Sequence, residues 1–446
     1  KHLEKRKAKP CGNALRCTAP QSTQAGLTQQ KSRPVAGLVS VWVSYVLHLW
    51  KSSKIVLLPG IPRFTSLNGV LLGVSLPKMP GKNFDMNESI HSGSGTSLAI
   101  NMDSKPLGIL RMKTWTRKGP TRSSLKKAGA CQSEIEAIPS EQERWFEGIR
   151  DTTVLRENKS NLLHVCDSET DDYALFSRLK TESYRFVIRA CQNRCVDGIE
   201  EKLFEVLPQK PLLAERTVPI SRRDKNSSKK RHQNRDSRTA NLEIRCATID
   251  IKRPRSFSGN ALSVTNLNAV YVSEPSPPDG AIGIEWLLLT TESISTVEEV
   301  LKIVDIYRTR WLIEEYFKVL KSGCSYELRQ LDSDHTLLNC LSLFIPIAWL
   351  NLSLRYLGRR NPDLPADLVL PAPMLEVLRL NTKKTIQTTG EAYLAIASLG
   401  GHINNNGLPG LLVLWRGFHE LAVLTKGYLL AVAQHSSWSM KRCDQS

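Results

Sequence analysis

The sequence lacks long apolar runs, and this absence excludes an ordinary membrane protein. No stretch reaches the roughly 18 uninterrupted apolar residues that a membrane helix needs. The nearest, residues 34–50, is interrupted by His48 and flanked by Arg33 and Lys51. No secretory signal is readable, because the basic residues 1–10 are followed too late by an apolar run. We therefore expect a cytoplasmic protein with no membrane partner.

The sequence also lacks paired cysteine motifs. Its ten cysteines are scattered, and only Cys191 and Cys195 lie close together. A structural zinc site needs four ligands, and no second pair lies nearby to supply them. The pattern favours reduced thiols, as in cytoplasmic proteins.

Acidic residues are few compared with basic ones. The chain of 446 residues has 61 Lys+Arg and 43 Asp+Glu, which gives a formal net charge of +18. Hydrophobic residues make up 41 %, which excludes a wholly disordered chain, and the length allows two to three domains. A positive surplus of this size favours a polyanionic partner, with nucleic acid as the first candidate. A solvated basic surface is the alternative.

Apolar patterning predicts an α/β core. Buried strands are predicted at 54–58, 162–166 and 184–189, with an amphipathic helix at 172–180 between the last two. A hairpin is predicted over residues 97–115. A strand, a helix and a strand in close succession are typical of an α/β fold.

The second half of the chain changes character twice. Residues 206–284 indicate a β-rich insertion, and its segment 222–238 holds eight Lys/Arg against two Asp. This basic segment is either a phosphate-binding loop or a disordered surface loop, and the two are compatible. After residue 346 the pattern is helical, with a break at 362–373 and a last helix over about 411–434.

The strongest signal lies on a helix that begins near a predicted capping box at Ser295 and Glu298 and runs to Lys321. At 100° per residue, five chemically active side chains share an arc of about 80°. They are Tyr307, Arg310, Glu314, Lys318 and Lys321. A solvated face with i,i+4 ion pairs would show the same spacing. The functional interpretation is a carboxylate that holds a divalent cation, beside cations that grip phosphates.

Such a metal site needs carboxylates from more than one element. Asp167 is the best partner for Glu314, because it follows a buried strand and so emerges at the edge of the sheet. Glu169, Asp171 and Asp172 follow it and could assist. The alternative role of Asp167 is to cap the helix that starts at residue 168.

The motif Tyr-x2-Arg-x3-Glu-x6-Lys resembles the signature of bacterial cut-and-paste insertion-sequence transposases of the DDE class, in particular the Tn-five-like group. The similarity covers about residues 65–435, and the segments that carry it are 165–171, 285–290, 303–315, 393–401 and 414–417. It implies an α/β fold: a ribonuclease H-like core with a β-rich insertion and an all-helical C-terminal dimerisation domain. The implied division is 1–54 unassigned, 55–205 first part of the core, 206–284 insertion, 285–345 second part of the core and 346–446 helical domain.

The resemblance also implies roles for individual residues. Asp167 and Glu314 would be catalytic ligands of Mg2+ (or Mn2+). Contacts to DNA are implied for Trp286, Tyr307, Arg310, Lys318 and Lys321, although from pattern alone Trp286 would more often belong to the core. The implied activity is end cleavage, hairpin formation and strand transfer, by a homodimer in a synaptic complex on double-stranded transposon ends and target, in the nucleoid region of the bacterial cytoplasm.

One departure from the family is serious. The family has its first catalytic Asp in a motif like Ile-Gln-Asp-x-Thr-x-Leu-Asn. In this chain Arg63 stands at the place of that Asp, within residues 61–68. An Arg repels a cation, which implies an impaired copy. A slip of the reading frame between about residues 61 and 65 would explain both Arg63 and the unrecognisable residues 1–54. The alternative functions are a catalytically dead inhibitor that binds DNA and dimerises with an intact transposase, and a structured-nucleic-acid nuclease with the same core.

Overall fold

The structure is a computed structural model, and it describes ten segments of the chain. These are residues 69–80, 91–117, 122–138, 141–154, 162–220, 236–255, 257, 263–325, 334–403 and 407–443. The predicted strand at 54–58, the apolar run at 34–50, Arg63 and most of the basic segment 222–238 lie outside them.

Nine strands of the described residues form one mixed sheet, in the order β3-β2-β1-β4-β5-β9-β8-β7-β6. Their bounds are β1 Gly69–Pro80, β2 His91–Ile100, β3 Pro106–Arg117, β4 Leu162–Cys166, β5 Arg185–Arg189, β6 Ala214–Ile220, β7 Arg238–Ile251, β8 Val264–Ser273 and β9 Glu285–Thr290. Strands β1, β4 and β5 are parallel, and the remaining pairs are antiparallel. The mixed α/β class, the hairpin β2–β3 and the strands β4 and β5 are confirmed.

The helices of the described residues lie mainly in the second half of the chain. Their bounds are α1 Arg122–Lys127, α2 Gln132–Glu136, α3 Glu141–Val154, α4 Tyr173–Thr181, α5 Leu203–Val206, α6 Val297–Thr309, α7 Trp311–Lys318, α8 Asp334–Arg360, α9 Ala372–Thr382, α10 Thr389–Leu399 and α11 Leu411–Cys443. The helix predicted at 172–180 is α4, and Asp172 caps it by accepting a hydrogen bond from the Leu175 N–H. The last helix, α11, extends nine residues beyond its predicted end at residue 434.

Both faces of the central strands are buried, because successive side chains of a strand point to opposite faces. In β5, Val187 packs into one hydrophobic cluster with α6–α11, while Phe186 and Ile188 pack into a second cluster with α3 and α4. In β9, Leu288 joins the first cluster and its neighbours join the second. The sheet is therefore covered by helices on both sides.

The prediction of one long helix from residue 295 to residue 321 is wrong in two details. The N-cap is Thr296 with Glu299 as its partner, one residue later than predicted, because the Ser295 hydroxyl pairs with Ser293 instead. The helix also breaks at Arg310 and resumes as α7. It ends in a π-turn at Val319–Gly323, where the Cys324 N–H donates to the Val319 carbonyl, two residues beyond the predicted end at Lys321.

After Gly323, helices are the main elements of the described residues. Helix α8 crosses position 346, so the boundary expected there falls inside a continuous helix. Within α8, residues Leu338–Arg360 are long and apolar enough to cross a membrane by length and composition, and 56 % of their most apolar window is buried inside the protein. The predicted break at 362–373 separates α8 from α9.

Candidate active site

Asp167 lies at the carboxyl end of β4, a strand whose five residues are all buried. Its Oδ1 accepts a hydrogen bond from the Glu169 N–H at 3.0 Å, and its carbonyl accepts one from the Thr170 hydroxyl at 2.6 Å. Asp167 thus caps the short 3-10 turn Ser168–Thr170, as the alternative reading predicts. Its other oxygen, Oδ2, points towards α7.

Arg310 brings Asp167 and Glu314 into one cluster. It occupies the break between α6 and α7, and its Nη1 lies 3.7 Å from Asp167 Oδ2 and 3.3 Å from Glu314 Oε1. The Arg310 side chain is 14 % exposed, so this guanidinium is largely shielded from water. The predicted i,i+4 ion pair between Arg310 and Glu314 is confirmed, but its cation also faces the acidic end of β4.

Burial and charge oppose each other at Asp167. Burial raises its pKa above the ordinary value, and the charge of Glu314 acts in the same direction. Arg310 and the Glu169 N–H lower the pKa by stabilising the carboxylate. The Arg310 guanidinium therefore offsets the repulsion between the carboxylates of Asp167 and Glu314 in a partly buried site.

Two further charged residues belong to this cluster, and Arg189 is the one that sequence reasoning missed. Burial raises the pKa of Glu169, and the charges of Asp167 and Glu314 raise it further. Arg189 ends β5, beside β4, and its charge lowers the pKa of Asp167 and of Tyr307. The signal that could have found Arg189 is its place at the end of the neighbouring parallel strand.

Asp171 and Asp172 do not join the cluster as helpers. The Asp171 side chain is fully buried and pairs with Arg194 at 2.6 Å, while its Oδ2 accepts the backbone N–H groups of Cys191 and Gln192. Asp172 caps α4. Both carboxylates are therefore already engaged by the fold.

Tyr307 and Trp286 pack against each other. Their ring centroids are 5.5 Å apart at an interplanar angle of 62°. Tyr307 is 5 % exposed, and burial raises its pKa. Trp286, on β9, is half-buried against the first hydrophobic cluster. The two residues form the wall between the core and the cluster around Arg310, which agrees with the core reading of Trp286.

The two remaining predicted cations, Lys318 and Lys321, lie in different surroundings near the end of the helix. Lys318 is exposed at the end of α7, and Lys321 is partly buried in the π-turn. A π-turn has i→i+5 bonds and alters the angular position of residues after it. By contrast Trp311, which directly follows Arg310, is 61 % exposed. Sequence reasoning missed Trp311, although its position outside the packed arc was readable.

The described residues do not fit a complete divalent-metal centre. Asp167 and Glu314 converge, but a guanidinium lies between them. Within the described segments, no group of three or more His, Cys, Asp or Glu is placed to hold a metal ion. A two-metal site needs several oxygen ligands around cations about 4 Å apart, and this cluster supplies too few.

Comparison with known families agrees with the geometry. Residues 147–341 match the family described as "Transposase DDE domain". The matched range contains Asp167, Arg310 and Glu314, together with β4, β5, the β-rich segment and α6–α7. The chain therefore carries a transposase DDE domain over residues 147–341.

Proposed function

We propose that this chain derives from a DNA transposase that cuts and pastes an insertion sequence, with Asp167 and Glu314 as its acidic catalytic residues. The convergence of these two carboxylates from β4 and α7, inside the matched DDE domain, carries the proposal. The strand order β3-β2-β1-β4-β5 supports a ribonuclease H-like core, into whose sheet β6–β8 are inserted through β9. We further propose that Lys318 and Lys321 contact DNA phosphates and that Trp286 and Tyr307 support the bound end.

The same proposal includes impairment of this copy. Strand β1 runs parallel to β4, with Gly73 opposite Cys166, and its twelve residues include no Asp or Glu. Arg63 stands where the family resemblance requires the first Asp. Catalysis of this class needs divalent metal, Mg2+ or Mn2+, which activates a nucleophile and stabilises a leaving oxygen. Asp167 and Glu314 alone supply too few oxygen ligands for two such ions.

A cleavage assay tests the activity. The purified chain is incubated with Mg2+ or Mn2+ and a linear duplex carrying the two ends of the element that encodes it. Nicks and hairpins are then resolved on a denaturing gel. We expect no product above background, because one carboxylate is missing. Efficient cutting by the chain as written would disprove impairment.

A restored variant tests the site itself. Pro62→Gln with Arg63→Asp returns the family's Gln-Asp pair, and we expect it to gain metal-dependent cleavage. In that background Glu314→Gln should abolish cutting, whereas Glu200→Gln, an exposed carboxylate away from the cluster, should not. Cutting that survives Glu314→Gln would refute the assigned role. Sequencing the gene upstream of Asn68 in all three frames shows whether residues 1–54 come from a slipped frame.

The second candidate function is inhibition of an intact transposase. It is favoured by a site that lacks a third carboxylate among the described residues, and by helices α8–α11, which pack in the first hydrophobic cluster and would support a homodimer. Mixing this chain with an active relative encoded by the same element should lower cleavage in proportion to its share of subunits. Unchanged cleavage at an excess of this chain would eliminate the inhibitor hypothesis.

A further inference from the structure

The helix that carries Glu314 does not end as a regular α-helix. Its last turn, Val319–Gly323, is a π-turn, and the Cys324 N–H closes it by donating to the Val319 carbonyl at 2.9 Å. π-Turns are rare, occur mostly as single turns and are frequent at functional sites. A rare conformation of this kind depends on the packing around it. Lys321 lies inside the turn, whereas Lys318 precedes it.

The side chain of Trp415, on α11, packs directly on this turn. A Cβ at Gly323 would lie 3.1 Å from Trp415 Cγ and 3.2 Å from its Cδ2, so the indole occupies the space that a side chain at position 323 would need. Trp415 is partly buried against the first hydrophobic cluster. The ring of His419, one turn later on α11, lies beside it, with the ring centroids 6.4 Å apart. The indole is therefore held between α11 and the backbone of the π-turn.

The apolar side chains of the turn anchor it in the core. Val319, Leu320 and Cys324 are fully buried and belong to the first hydrophobic cluster. Lys321, between Leu320 and Gly323, is partly buried. The turn thus has a fixed apolar side, and the contact of Trp415 with Gly323 adds a second support only two residues after Lys321.

The form of this turn decides the direction of Lys321. In a continuous α-helix, Lys321 would lie seven positions after Glu314 and within about 20° of it around the axis. A π-turn takes one extra residue into the turn, which rotates the residues that follow by up to about 100°. A change between the two forms would therefore move the Lys321 side chain and leave Lys318, which precedes the turn, in place.

We propose that Trp415 is a positioning residue for Lys321: its indole, packed on Gly323, holds the π-turn and so fixes the direction in which Lys321 meets the DNA. This inference rests on the proposed function, in which Lys318 and Lys321 contact DNA phosphates. Helix α11 lies outside the matched range 147–341, whereas Lys321 lies inside it. The C-terminal helices thereby set the geometry of a residue of the DDE domain.

A double-mutant cycle tests this link without any need for cleavage. The full chain is titrated into a fluorescein-labelled duplex that carries one end of the element encoding it, and fluorescence anisotropy gives the affinity at several salt concentrations. In the wild type, Lys321→Gln should reduce the slope of log affinity against log salt by about one. In Trp415→Leu the same change should leave the slope nearly unaltered, because Lys321 no longer faces the phosphate.

Lys318→Gln is the matched control, since Lys318 precedes the π-turn. It should reduce the slope by about one in the wild type and in Trp415→Leu alike. Trp415→Phe keeps an aromatic ring against Gly323 and should preserve the response to Lys321→Gln. Gly323→Val places a side chain where the indole lies and should abolish that response. Thermal unfolding confirms that each variant is folded at the temperature of the titrations.

Two results would overturn the positioning role of Trp415. One is an undiminished effect of Lys321→Gln in the Trp415→Leu background, and the other is an equal weakening of the Lys318→Gln effect there. A wild-type slope for Lys321→Gln alone would refute the proposed phosphate contact of Lys321 and this inference with it. Failure of the restored variant to cleave, with the coupling between Trp415 and Lys321 intact, would refute the proposed transposase chemistry alone.

Discussion

At the residue scale, Arg310 determines the state of the acidic cluster. Its guanidinium lies within 4 Å of both Asp167 and Glu314 and is itself mostly buried. The motif predicted a cation and a carboxylate on one helix face, and the structure adds that the cation also contacts the second acid. Spacing along a helix cannot reveal that contact, because Asp167 is 143 positions earlier in the chain.

A buried ion pair holds the turn after Asp167, and its removal should be costly. Asp171→Asn leaves Arg194, 7 % exposed, without its counter-charge. Breaking a buried pair by removing one partner costs about 3–5 kcal/mol of unfolding free energy. Denaturant unfolding followed by circular dichroism measures it. The control Asp305→Asn removes a carboxylate of surface pairs and should cost at most about 1 kcal/mol. Equal losses would contradict the prediction.

His164 predicts a pH dependence of stability. Burial lowers its pKa from 6.5 to about 3, so the folded protein keeps it neutral while the unfolded chain protonates it. Stability from this group is complete above pH 6.5 and is lost as the pH falls towards 3, by about 1.4 kcal/mol per pH unit. Between pH 6.5 and pH 5 the unfolding free energy of the wild type should therefore fall more steeply than that of His164→Gln. Parallel curves would show that His164 is not responsible.

At the element scale, the helices of the C-terminal part approach one another through glycines. A Cβ at Gly417 on α11 would lie 1.7 Å from the Ile396 carbonyl oxygen of α10, and one at Gly400 would lie 2.0 Å from the Val413 carbonyl oxygen. Both neighbours are backbone atoms and cannot rotate away. Phe418 and Leu421 of α11 are buried, as an amphipathic helix requires, but the close crossing depends on the partner helix.

Gly417→Ala should therefore separate α10 from α11. We expect a loss of at least about 3 kcal/mol of unfolding free energy, at the upper end for an overpacked core. Gly427→Ala is the control on the same helix, because nothing lies within 4 Å of its added Cβ. Ala has the higher helix propensity, so this control should be neutral or stabilising by about 1 kcal/mol. Denaturant unfolding of both variants measures these changes. A loss of unfolding free energy below about 1 kcal/mol for Gly417→Ala would contradict the close packing of α10 against α11.

At the scale of the whole molecule, the acidic cluster predicts little response of the DNA-free protein to divalent metal. A ligand that binds only the folded state raises the midpoint of thermal unfolding by mass action. Because Arg310 already compensates Asp167 and Glu314, millimolar Mn2+ should not change that midpoint, nor should a chelator. In Arg310→Gln the two carboxylates lose their cation, and Mn2+ should then raise the midpoint. A rise of several degrees in the wild type would contradict this.

Much of the local structure was readable from the sequence. Strands β4 and β5 and helix α4 were predicted because buried strands and amphipathic helices have different apolar periods. The strand end at Asp167 and the helix spacing at Glu314 predicted that two carboxylates would meet, and the structure brings both to Arg310; their catalytic role stays a proposal. The N-cap at Thr296 was missed by one residue, since Ser295 and Thr296 both offer a hydroxyl with a Glu three positions later.

The sequence by itself determined the residue types, the positive charge and the local elements, because propensity and period act within a few residues. Only the tertiary structure decided which of these residues meet. The pairing of Asp171 with Arg194, the packing of Tyr307 against Trp286 and the contact of Arg310 with Asp167 all depend on contacts between distant segments. Such contacts are set by packing against the sheet, which no local pattern encodes.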